Sequence, residues 1–104
     1  MNRYLLIQAS DAYECRSDQL RALASGLAGK HHVTLFLVQN GVQAARAGAS
    51  PLRELVKAGV HVRADEFSLK ERGIAAERLA PGITAAPLDL VIDELAAGAK
   101  ALWF

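Results

Sequence analysis

The residues whose type and placement together suggest chemistry fall into four groups. Cys15, in ASDAYECR (residues 9–16), is the only thiol. At the start of a helix and beside Arg16, a thiol is favoured as thiolate, which makes Cys15 a candidate catalytic nucleophile. The plainer reading is a half-buried cysteine acting as a small hydrophobe. Asp65 and Glu66 follow the third expected strand, VHVR, and Ala64. Two carboxylates at a strand end could do general acid–base work, but more often such a pair caps the helix that follows, and capping is the favoured reading. His31, His32 and His61 are the only histidines. Neighbours on a strand face opposite sides, and no third and fourth ligand accompanies them, so no metal site is expected. Lastly, Asn40-Gly41 closes a strand, and Arg72 precedes Gly73 with a guanidinium available to a carboxylate or to a neighbouring chain.

These residues need elements to hold them. Tyr4–Ile7 is a short, continuously apolar run, as expected of a strand buried on both faces. Ser17-Asp18 reads as a helix cap, with Leu20, Leu23, Ala24 and Leu27 at helical spacing and Gly29 as the stop. A second buried strand covers His32–Val38. Asn40-Gly41 then reads as a strand-to-helix turn rather than a hairpin, because VQAARAGA after it is rich in helix formers. Gly41 would supply positive φ there. Ser50-Pro51 starts a helix that Gly59 ends. Val60–Arg63 is a third strand, and Phe67–Arg72 a short helix stopped by Gly73. Residues 74–83 read as irregular, with a short strand near Ile83. Pro87 begins a last helix with Leu88, Val91, Ile92 and Leu95 on one face. Ala101–Phe104 closes the chain as a strand, where Trp103 and Phe104 are expected in a core or an interface. Strands alternating with helices predict one α/β domain over residues 1–104, a three-layer arrangement with a mostly parallel five-stranded sheet and helices on both faces.

Composition removes several functions. With 104 residues, 52% of them hydrophobic, the chain suits one core, and a net charge of +1 with scattered basic residues argues against a dedicated nucleic-acid binder. The turn after the first strand has no glycine, so no dinucleotide or other cofactor is expected. A lone cysteine, no signal-type N-terminus and no long apolar run point to a cytoplasmic protein without membrane association.

Three stretches carry a family likeness: VTLFLVQNGVQAAR (33–46), VRADEFSLKERGI (62–74) and LDLVIDELAAGAKALWF (88–104). In this order they resemble the DsrE/DsrF/DsrH family of small sulfur-relay proteins, which includes the Tus subunits. The shared features are a strand running into a Gly-Val turn, a strand followed by a short helix ending in Arg-Gly, and a last helix leading to a closing strand. The resemblance covers nearly the whole chain and implies a parallel α/β sheet, assembly into trimers or hexamers, and persulfide transfer between cysteines. It places the family's sulfur-carrying cysteine at the end of the third strand, where this chain has Arg63-Ala64-Asp65.

Ala64 cannot carry a persulfide. The first expectation is therefore a non-catalytic DsrE-like subunit or binding module linked to sulfur metabolism. It would form a homo-oligomer, or a hetero-oligomer with related subunits, and meet a partner or small ligand through Asn40, Gly41, Ala64, Asp65, Glu66 and Arg72. A sulfur-relay protein is a candidate partner. A second reading moves the thiol to Cys15 and keeps persulfide transfer. A third is a small-molecule sensor with an intersubunit pocket lined by Asn40, Asp65 and Arg72.

Overall fold

The computed structural model describes residues 2–9, 15–47 and 52–103, with residues 15–18 described by their backbone alone. Five strands, β1 (Arg3–Gln8), β2 (His32–Leu37), β3 (His61–Asp65), β4 (Thr84–Ala86) and β5 (Lys100–Trp103), form one sheet in the order β4-β3-β2-β1-β5. Every pair is parallel. The helices are α1 (Cys15–Ala28), α2 (Arg53–Lys57), α3 (Glu66–Glu71) and α4 (Asp89–Ala96), with 3-10 segments at Gln39–Ala45 and Ala76–Arg78. The expected parallel α/β domain is what the chain forms.

Alternation along the strands builds two cores. Leu6, Leu35, Leu37, Val62 and Ala64 face Leu20 and Ala24 of α1, Val42, and Leu52 and Leu55 around α2. Leu5, Ile7, Phe36 and Val38 face the other way, against Leu90 and Val91 of α4. Burial on both faces explains why the central strands read as unbroken apolar runs.

Several expected details change. The helix α1 begins at Cys15, so Ser17 and Asp18 lie inside its first turn rather than ahead of it. Ser50 and Pro51, the expected start of α2, lie outside the described residues, as does Phe104. The third strand runs two residues further, through Ala64 and Asp65. The segment after β2 is a 3-10 helix, and Gly41 in it does not take positive φ. Gln39 does, at φ 51°. Glycine at 41 answers a different need: a Cβ there would overlap the carbonyl oxygen of Gln8.

The last helix departs most. The expected stripe Leu88, Val91, Ile92 and Leu95 does not face the sheet as a unit. Leu88, Ile92 and Leu95 are exposed, Ile92 by 67%. The inward side consists of Leu90, Val91 and Glu94, and Arg3 Nη2 lies 3.0 and 3.1 Å from the two Glu94 oxygens. Trp103, expected in a core or an interface, is 68% exposed, so the core placement fails. It pairs in register with Ile7, on the α4 side of the sheet.

Candidate functional site

In a parallel sheet the strands' carboxyl ends share one edge, where loops gather ligands. The expected site residues Asn40, Gly41, Ala64, Asp65, Glu66 and Arg72 belong to that edge. Ala64 is fully buried in β3, in register with Leu37 on one side and Ala85 on the other. It offers no group to a reacting partner.

Asp65 is the last residue of β3 and the N-cap of α3. Its Oδ2 accepts from the Ser68 backbone N–H at 3.1 Å and from the Ser68 hydroxyl at 2.7 Å. Ser68 Oγ in turn accepts from the Gln39 backbone N–H at 2.8 Å. Asp65 Oδ2, the Ser68 N–H and the Ser68 hydroxyl thus tie β3, α3 and the segment after β2 together. A carboxylate so engaged caps a helix and positions a loop. Glu66 opens α3 and is exposed.

Arg72 and Asn40 meet within the one chain. Arg72 Nη2 donates to Asn40 Oδ1 at 3.1 Å, and Nη1 reaches the Ser68 carbonyl at 3.4 Å. Asp65 does not join them, since its oxygen faces Ser68. The side chain of Cys15 lies outside the described residues. Its helix follows β1, and β2 stands between β1 and β3. The strand ends carrying Gln8 and Ala64 are therefore two spacings apart, about 9–10 Å.

Sequence reasoning missed Ser68 and Gln39. Ser68 sits three residues after Asp65, the spacing at which a cap meets the helix N–H it serves, so that signal was present. Gln39 carried none, because its role depends on a loop conformation.

The opposite edge holds a second polar group. His32 and His61 stack with ring centroids 4.5 Å apart, and Glu94 Oε1 lies 3.9 Å from His32 Nε2. Burial holds the His32 pKa below its ordinary 6.5, helped by the charges of Arg3 and His61 and opposed by Glu94. No group of His, Cys, Asp and Glu among the described residues is arranged to hold a metal ion. No helix among them is long and apolar enough to cross a membrane.

This fold and edge define a class: small single-domain proteins with a five-stranded parallel sheet, consistent with the DsrE-like fold. The YchN protein of E. coli superimposes with a TM-score of 0.87 at 21% identity, over 100% of both chains. A protein of unknown function from Methanobacterium thermoautotrophicum, MTH1491, gives 0.86 at 16% identity, again over both whole chains. BT1422 from Bacteroides thetaiotaomicron gives 0.74 at 18% identity, over 99% of this chain and 95% of its own. No protein-family model and no curated protein matches the chain. At these identities the likeness is one of fold.

Proposed function

We propose that this chain is a non-catalytic DsrE-like subunit that works in an oligomer, as a partner-binding component linked to sulfur metabolism in the cytoplasm. The observation that carries the proposal is Ala64. The resemblance places a sulfur-carrying thiol there, and this chain has a fully buried methyl group. Around it, Asp65 and Ser68 are engaged in holding α3, so the end of β3 has a frame without a thiol. The outward apolar residues Leu88, Ile92, Leu95 and Trp103 support assembly, since such side chains favour cover by another chain. A second copy of this chain, as trimer or hexamer, is the expected occupant.

One observation favours the rival reading. Cys15 opens the 14-residue α1, where backbone N–H groups favour a thiolate. Intact-mass spectrometry after exposure to a persulfide donor separates the two, with Cys15→Ser as control. No mass gain, under conditions that load a thiol-bearing relative, is the expected result. Gains in steps of one sulfur atom on the parent and not on Cys15→Ser would replace the subunit reading with a persulfide carrier.

A further inference from the structure

Three arginines from three separate segments converge on one cavity. It has a volume of about 320 Å3 and is lined by Gln43, Arg46, Arg72 and Arg78, with Ile74 and Ala75 as apolar wall. Arg46 caps the 3-10 helix Gln39–Ala45, Arg72 caps α3, and Arg78 ends the second 3-10 helix. They are held together by backbone pairing. Arg46 and Leu79 form an antiparallel bridge, Ala47 N–H donates to the Arg78 carbonyl at 2.7 Å, and Ala80 N–H to the Ala45 carbonyl at 2.8 Å. Arg72 is anchored from behind by Asn40 and the Ser68 carbonyl, which occupy only part of its five donor hydrogens.

The charge balance of the cavity is one-sided. Among the described residues, no carboxylate lines it, and neither Arg46 nor Arg78 makes an ion pair or a side-chain hydrogen bond. Glu71 and Glu77 are sequence neighbours of the arginines but are not part of the lining. The carboxyl end of α3 also faces this region, and its partial negative charge is already answered. Ser68, Leu69 and Lys70 carbonyls accept from the N–H groups of Arg72, Gly73 and Ile74. Like charges gathered without counterions repel, and a concave wall of one sign concentrates the opposite ion. Guanidinium forks match a tetrahedral oxyanion in two-point contacts, which a single ammonium does not do. The volume is at the low end of the range for small-molecule sites, about 300–1,000 Å3, which fits a charged head group with a short organic remainder.

We propose that Gln43, Arg46, Arg72 and Arg78 form a binding site for a small dianion with a tetrahedral oxyanion head, of phosphate or sulfur-oxyanion type. The site is distinct from the Ala64 position and stands independently of any role in sulfur metabolism. Arg46 and Arg78 supply the free guanidinium forks, Arg72 is the pre-set third contact, and Gln43 adds a neutral donor.

The test is isothermal titration calorimetry on the full chain at low ionic strength, where exposed charges are least screened. The probes are inorganic phosphate, thiosulfate and glycerol 3-phosphate. At least one is expected to bind saturably, with one site per chain. Arg46→Gln and Arg78→Gln should each weaken it about tenfold, the loss of one charge-assisted contact. Arg78→Lys should fall between Arg78→Gln and parent, and Arg53→Gln, at an exposed position of α2, should match the parent. Tighter binding of glycerol 3-phosphate would assign the site to an organic phosphomonoester; equal or tighter binding of an inorganic probe would assign it to the free anion. Saturable binding by none of the three would overturn the proposal. So would unchanged affinity in Arg46→Gln and Arg78→Gln with native circular dichroism, or an equal loss in Arg53→Gln.

Discussion

Replacing Asp65 by alanine tests whether its carboxylate is structural. The side chain is nearly buried and its Oδ2 accepts two hydrogen bonds, from the Ser68 N–H and the Ser68 hydroxyl. Losing an N-cap costs about 1 kcal/mol and up to about 2. The Ser68 hydroxyl is buried as well, and a buried donor left without its acceptor costs a further ~1–3 kcal/mol. The two losses share one oxygen and overlap, so about 2–3 kcal/mol of destabilisation is expected. For a domain of this size that is a fall in Tm of roughly 10–20 °C. Urea titration should show a lowered midpoint with an unchanged slope, because the surface exposed on unfolding is the same. Asp65→Asn keeps an oxygen acceptor and should lose about half as much or less, since asparagine caps as well as aspartate. An Asp65→Ala protein within about 0.5 kcal/mol of the parent would refute the capping argument.

Other perturbations read other parts of the structure. Gly41→Ala should destabilise by about 1–3 kcal/mol in the same titration, because the added methyl meets the Gln8 carbonyl rather than a movable side chain. The depressed pKa of His32 makes stability pH-dependent. The unfolded chain binds the proton first, so stability is full above about pH 6.5 and falls as pH drops through that value toward the folded pKa. His32→Gln should flatten that slope in denaturation curves taken from pH 8 to pH 5. If Leu88, Ile92, Leu95 and Trp103 lie in an interface, Ile92→Glu should turn an oligomer into monomers by light scattering, with circular dichroism unchanged. A parent already monomeric at tens of micromolar would contradict that assembly.

Much of the architecture was legible because the signals behind it are local. The apolar runs at Tyr4–Ile7 and His32–Val38 read as strands buried on both faces, and β1 and β2 follow them closely. Gly59 and Gly73 stop their helices at positive φ, as a left-handed terminus favours. The carboxylate after the third strand was identifiable as a cap from the helix pattern beyond it, and Asp65 is one. The α4 stripe misled for a traceable reason. Helical spacing in LDLVIDELA (88–96) supports two faces, Leu88/Ile92/Leu95 and Leu90/Val91/Glu94, and periodicity does not rank them. Arg3, at the start of a strand 91 residues away, draws Glu94 inward and turns the other face out.

The sequence alone therefore determined the alternation of strands and helices, the parallel sheet that follows from it, and the absence of a thiol at position 64. Each depends on residue type and short-range spacing. Only the tertiary structure decided that Gly41 serves a close backbone approach, that Arg72 holds Asn40, and that Arg46, Arg72 and Arg78 share one cavity. Those facts arise where segments far apart in the chain come within a few ångströms, and no local pattern encodes which ones will meet.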